Sequence, residues 1–208
     1  SNYAFYFGAT PDNIEQLSKL KDVKGCCGVK LFAGSSTGNL LVDKEADIEK
    51  VISSSDRIVS IHSEDEDIIK LRKKFIKKGD VHSHPIWRNV ECAISSTRRV
   101  VKIAERYDKR IHVLHVTTKE EVDFLAMHKK NVTFETTPQH LTIFAPDCYD
   151  NLGTYAQMNP PLRTKDHYDR LWVAIKNNIV DVLGSDHAPH LKKNKDKEYP
   201  NSPSGMPG

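Results

Sequence analysis

The stretch RIHVLHVTTKEEVDFLAMHKKNVTFET, Arg110–Thr136, holds one full alternation of the chain. Residues 110–115 form an apolar strand-like run, 119–130 have helical spacing, and 132–136 form a second strand-like run. Two strands joined through a helix are parallel, with a right-handed crossover. The alternation continues in both directions. Further strands are expected at residues 3–7, 29–32, 57–62 and 179–185, with helices at 12–21, 43–55, 64–78, 89–107 and 164–177. A loop is expected at 79–88, an irregular stretch at 137–162, and a lysine-rich, then Pro- and Gly-rich, tail from His187. Six strands with helices between them make an α/β protein, and both a doubly wound sheet and a (β/α)8 barrel are built this way. Neither a GxGxxG fingerprint nor a P-loop signature supports the doubly wound choice. The Gly34–Asn39 segment is Gly/Ser-rich but lacks a P-loop lysine, so it reads as an ordinary βα loop.

Composition excludes several classes. The 208 residues hold 31 Lys and Arg against 28 Asp and Glu, a net +3. That is too weak for a nucleic-acid binder, whose cations cluster on one face. The longest apolar run, Tyr3-Ala4-Phe5-Tyr6-Phe7, falls far short of the roughly 20 residues that span a bilayer. No charged segment followed by an apolar stretch marks a signal peptide. The chain opens Ser1-Asn2-Tyr3 without an initiator Met and enters a strand-like run at once, the pattern of a piece of a longer chain. Cys26, Cys27, Cys92 and Cys148 form neither a CxxC pair nor a zinc-ribbon spacing. Free thiols and a cytoplasmic protein are expected.

Four reactive side chains share one position, the C-terminal end of a strand-like run. Lys30 lies in Gly28-Val29-Lys30-Leu31-Phe32, His62 closes Ile58-Val59-Ser60-Ile61-His62, His115 closes Ile111-His112-Val113-Leu114-His115, and Asp186 closes Val182-Leu183-Gly184-Ser185-Asp186. In a parallel barrel these ends converge on the face where such enzymes hold their sites. Two imidazoles and a carboxylate suit zinc or a similar borderline metal. An ammonium repels a cation, so Lys30 joins them only as a carbamate formed with CO2, which bridges two metals as a carboxylate would. Singly, a lysine among apolar residues is a snorkelling side chain and a strand-end histidine is merely hydrogen-bonded; recurrence at four strand ends favours a site. His112, two residues before His115 on the same strand face, is a supporting or structural candidate. His82-Ser83-His84 would make a metal claw on an extended segment. It sits beside Pro85 in a Gly-led loop, so a loop or substrate-gate role is expected.

The segment Gly184-Ser185-Asp186-His187-Ala188-Pro189-His190 brings in a further comparison. It stands in one chain with the Gly28–Asn39 run, His62-Ser63-Glu64-Asp65-Glu66, His112-Val113-Leu114-His115, Asn159-Pro160-Pro161-Leu162-Arg163 and Ser204-Gly205-Met206-Pro207-Gly208. In this order the motifs resemble the dihydroorotases of the amidohydrolase superfamily, from the first strand to the last residue. Hydantoinases and allantoinases share the metal residues but less of the DHAPH and NPPLR elements. The resemblance implies a (β/α)8 TIM barrel of the metal-dependent hydrolase type, incomplete here. Residues 1–208 would carry strands three to eight, without strands one and two or the accessory β-domain. It further implies two zinc ions bridged by carboxylated Lys30, with His62, His115 and Asp186 as ligands. Asp186 would also be the catalytic proton shuttle, while Asn159, His190 and Gly205 bind substrate; His140 resembles a site-rim histidine. The implied reaction is the reversible hydrolysis of L-dihydroorotate to N-carbamoyl-L-aspartate in pyrimidine biosynthesis. The missing strand-one HxH pair implies that the 208 residues alone are inactive. Implied partners are a homo-oligomer or aspartate transcarbamoylase. The alternatives are another cyclic-amide hydrolase, hydantoinase or allantoinase-like, or a catalytically inactive assembly subunit.

Overall fold

Side chains alternate across a strand, and that alternation decides how the sheet is covered. The computed structural model describes residues 2–36 and 38–208; Thr37, in the Gly/Ser loop, and Ser1 lie outside them. Six parallel strands stand side by side in chain order: β1 (Phe5–Gly8), β2 (Cys26–Phe32), β3 (Val59–His62), β4 (Ile111–Val113), β5 (Val132–Thr136) and β6 (Val182–Leu183). Helix α1 (Glu45–Ser54) follows β2, and α2 (Glu66–Arg72), α3 (His84–Trp87) and α4 (Val90–Arg106) follow β3. Next come α5 (Lys119–Ala126) after β4, then α6 (Pro138–Thr142), α7 (Asp147–Leu152) and α8 (Lys165–Lys176) after β5, and α9 (Lys192–Lys195) after β6. Consecutive parallel staves with helical crossovers form an incomplete (β/α)8 barrel.

The register sorts the residues into two rows. Lys30 pairs with Ser60, Ser60 with His112 and His112 with Thr133, giving a polar row across β2–β5. The alternate positions are apolar: Val29, Leu31, Val59, Ile61, Ile111, Val113, Val132 and Phe134 are all buried. They pack in one core with Ile48 and Val51 of α1, Val100 and Ile103 of α4, Val122 and Leu125 of α5, and Leu171 of α8. The sheet thus carries its apolar face to the helices and its polar face inward. A second, separate core of Val81, Ala145, Cys148, Tyr149, Ala156, Met158, Leu162 and Tyr199 fixes the long loops. All four cysteines are free, and among the described residues no helix is long and apolar enough to cross a membrane.

The local signals account for most boundaries. Helix α5 begins at a capping box: Glu121 N–H donates to Thr118 Oγ1 at 3.1 Å, and the Glu121 carboxylate accepts from Thr118 N–H at 3.3 Å. Five expectations need correction. Residues 12–21 were expected as an α-helix, but Ile14–Asp22 is 3-10; Arg57 draws off the Leu20 and Lys21 carbonyls at 3.1 and 2.6 Å. The helix expected to reach residue 78 ends as α2 at Arg72, with a 3-10 turn after it; the Trp87 indole N–H takes the Ile69 carbonyl at 2.9 Å. The loop expected at 79–88 holds a 3-10 turn, Val81–Ser83, and α3. There Asp80 caps the His82 N–H at 3.0 Å, and Pro85 opens a helix without losing a donor. The irregular stretch 137–162 contains α6 and α7, while β6 keeps only two of the seven residues expected at 179–185.

Phe134 of β5 is fully buried in the main core, where the rings of Phe7 and Phe124 are only partly buried. Phe134→Ala is expected to lower stability by about 3–5 kcal/mol, read as a lower urea midpoint at unchanged slope.

Candidate active site

The strand ends deliver their reactive residues by unusual backbone. β4 stops at Val113, two residues short of the expected end, and His115 then adopts φ +38°. Asp186, three residues past β6, has φ +42°. Neither is glycine, and left-handed backbone at such residues costs free energy that surrounding contacts must offset. Here the Leu114 N–H donates to Ile61 O at 3.1 Å and the Val116 N–H to Glu135 O at 2.8 Å, pinning His115 from both sides. The strain turns each residue out of strand geometry at the face where the strand ends meet.

There Lys30, His62, His115, Asn159, Asp186 and Gly205 line one cavity of about 180 Å³, together with Phe32, Ser36, Ala188 and Ser204. Of the seven residues singled out from the sequence, only His190 is not on the lining. Its Nε2 lies 3.0 Å from the Ser204 carbonyl, behind the wall. Gly205 has φ +142°, and a Cβ there would stand 2.6 Å from Ala188 O and 2.8 Å from His190 Nε2. Only glycine fits at that place.

His62 Nδ1 and His115 Nε2 are 3.0 Å apart. Burial pushes both imidazoles below their ordinary pKa, that of His115 well below, so both rings are neutral at pH 7. Nitrogen ligands about 2.0–2.1 Å from a tetrahedral zinc stand roughly 3.3 Å apart, so this pair fits a shared cation. The buried His115 Nδ1 has no hydrogen-bond partner. Among the described residues no three His, Cys, Asp or Glu side chains converge as a complete metal-holding group. A third donor at this end depends on Lys30. Burial pushes its amine down to about 8, against the pull of Asp186 and Glu135. Asp186 itself remains exposed to solvent.

The residues behind the cavity were less legible. Glu64 is fully buried, with one carboxylate oxygen 3.0 Å from His62 Nε2. Arg88, also buried, meets the same carboxylate at 2.5 Å and donates to Ser35 O at 2.6 Å. Burial alone would raise the Glu64 carboxyl; Arg88 and His62 outweigh it and hold the group far below the usual carboxylate range. Glu66 accepts from the Ser35 N–H at 2.6 Å, and Arg163 of the NPPLR element donates to Arg88 O at 2.5 Å. The His-x-Glu spacing was a visible signal for Glu64. Arg88, 24 positions away, carried none.

The other histidines divide by burial. His84 is buried, its Nε2 2.9 Å from Met158 O and 3.1 Å from Asn159 Oδ1. The loop or gate role expected for His82-Ser83-His84 is therefore corrected: the turn is helical, His84 props Asn159, and only His82 faces outward, 3.2 Å from Asp150. His112 bridges Thr133 Oγ1 at 2.9 Å and Glu135 at 3.2 Å in the polar row. His140 lies 3.3 Å from Pro160 O.

Glu64→Gln leaves Arg88 buried without its anion, a change expected to cost about 3–5 kcal/mol. A carboxyl depressed in the fold contributes stability that is fully present above its unfolded pKa of about 4.3 and is lost progressively as pH falls from there toward the much lower folded pKa. Urea titrations below pH 5 are expected to show that loss in the native protein and a flatter profile in Glu64→Gln.

No protein-family model matches the chain. It is 32% identical over 181 residues to a dihydroorotase of Halobacterium salinarum, covering 86% of this chain and 42% of that protein. It is 32% identical over 215 residues to a dihydroorotase of Methanosarcina mazei, covering 97% of this chain and 46% of the relative. Among solved structures, the L-hydantoinase (dihydropyrimidinase) of Arthrobacter aurescens superposes with TM-score 0.92 at 25% identity, over 100% of this chain and 48% of that one. The chain spans just under half the length of these relatives. The strand-end residues thus lie in a sequence and a fold that, over nearly the whole chain, are similar to those of the cyclic amidohydrolases of the amidohydrolase superfamily.

Proposed function

We propose that the chain supplies the greater part of a dihydroorotase site, in a protein that interconverts L-dihydroorotate and N-carbamoyl-L-aspartate. The observation that carries this reading is the meeting of Lys30, His62, His115 and Asp186, each from a different strand end, with Asn159 and Gly205 around one cavity. Opening a cyclic amide requires a polarised carbonyl, a water-derived nucleophile and a proton for the leaving nitrogen. His62, His115, Asp186 and a Lys30 carbamate would hold zinc, which would supply the first two by polarising the carbonyl and lowering the pKa of the attacking water. The neutral imidazoles are in the form that binds a cation, and Glu64 fixes the ring of His62 from behind. Lys30, with its lowered pKa, exposes some neutral amine to CO2. Asp186, on the open side of the cavity, takes the proton from the nucleophile and returns it to the departing nitrogen. Asn159 and the backbone at Gly205 hold the ring, while His190, off the lining with its Nε2 on the Ser204 carbonyl, acts on the substrate through that wall.

A second reading takes a hydantoin- or allantoin-type ring as substrate, and the close superposition on an L-hydantoinase favours it. The full-length protein is the place to decide. Its kcat/KM for L-dihydroorotate is expected to exceed those for hydantoin and allantoin by about 100-fold, roughly 2.7 kcal/mol. Asp186→Ala is expected to cost about 10²–10⁴ in kcat, and chelation to abolish turnover. A preference for hydantoin establishes the second reading instead. Turnover of none of the three rings indicates an inactive assembly subunit, partnered by a second copy or by aspartate transcarbamoylase. The 208 residues alone offer fewer donors than two zinc ions require and are expected to show negligible turnover.

A further inference from the structure

Lys195, the last residue of α9, is 4% exposed. Its Nζ lies 3.2 Å from Gln157 O, 2.9 Å from Pro203 O and 3.2 Å from Gly205 O. An ammonium has three protons, and each finds a carbonyl. Burial pushes this amine down to about 8, and its partners are carbonyls rather than a carboxylate. A buried cation without an anion is costly, and lysine is almost never fully buried unless paired. A leucine or methionine would fill the space without that cost. What an ammonium does, and they cannot, is gather carbonyls that otherwise repel one another.

The gathered carbonyls belong to two segments that wall the cavity. Gln157 stands two residues before Asn159, and Pro203 and Gly205 flank Ser204; Asn159, Ser204 and Gly205 all line the cavity. The same segments are joined around the ammonium by smaller bonds. Gly205 N–H donates to Gln157 O at 2.9 Å, and the Gln157 amide donates to Ser202 O at 2.9 Å and to Ser204 Oγ at 3.1 Å. Thr154 and Ser202 hydroxyls donate to the Lys195 carbonyl at 2.6 and 3.2 Å. Lys30, His62 and His115 come from other strands and touch none of this.

We propose that Lys195 is a positioning residue for substrate: its ammonium holds residues 203–205 against residue 157 and so sets the wall that faces the candidate metal ligands. The assignment rests on the reading of the cavity as a substrate site.

Two substitutions in the full-length protein test it. Lys195→Met keeps length and loses every donor; Lys195→Gln keeps two N–H donors. Lys195→Met is expected to raise KM for L-dihydroorotate about tenfold or more while kcat stays within about threefold, with Lys195→Gln recovering part of the loss. Bound zinc is expected to be unchanged in both. Amide exchange at Gly205 is expected to quicken about tenfold in Lys195→Met, while the Leu114 amide in the sheet stays protected. An unchanged KM with unchanged Gly205 exchange overturns the proposal. So does a loss confined to kcat, loss of zinc, or equal acceleration at Gly205 and Leu114, which would mark a general loss of stability. If the unmutated protein turns over no cyclic amide, the functional reading fails, and the exchange at Gly205 still decides whether the tether exists. Should Lys195→Met not fold, Lys195→Gln carries the same readouts at smaller amplitude.

Discussion

The buried pair of Arg88 and Glu64 is the contact through which the site's separate parts reach one another. Its guanidinium meets the Glu64 carboxylate and the Ser35 carbonyl, its own carbonyl takes the Arg163 side chain, and Glu64 lies against His62. One ion pair therefore joins the loop after β2, the end of β3, the end of α3 and the NPPLR turn. Removing two charges from water costs several kcal/mol per ion, and a buried pair stabilises little net against apolar replacements. Its contribution lies in geometry, because the directional bonds admit one arrangement of four loops.

The same economy governs the strands. An inward polar row and an outward apolar row follow from alternation alone, and the inner positions nearest the strand ends, Lys30 and His62, reach the cavity. That is why Lys30 and His62 were legible as isolated letters in apolar runs. His115 and Asp186 were legible for a different reason. Each stands at the end of a run, and the chain reaches the face by a left-handed residue rather than by strand. The expected strands there were too long because apolar residues extend beyond the paired ones, Leu114 after β4 and Ile179 and Val180 before β6.

What could not be read from sequence is what depends on distant partners. The 3-10 turn at 14–22 owes its form to Arg57, and α2 ends where Trp87 takes a carbonyl. His82-Ser83-His84 looked like a loop because the caps that make it helical, Asp80 and Pro85, are also loop residues by composition. Arg88 and Lys195 gave no local sign, since each acts on backbone far along the chain. Strand order, the β5 boundaries and the meeting of six of the seven candidate residues at one cavity were legible; the scaffolding behind them was not.

The two hydrophobic cores share no residue. One unites sheet and helices, and the other, built on Tyr149, Met158, Leu162 and Tyr199, carries the long loops, Met158 standing next to the cavity residue Asn159. Perturbations of well-separated clusters add with little coupling. The loop core can therefore accumulate substitutions that reshape the cavity wall while the barrel beneath keeps its stability. A change in the shape of that wall then needs no change in the strand-end residues, only a drift in how the loops settle on their own small core.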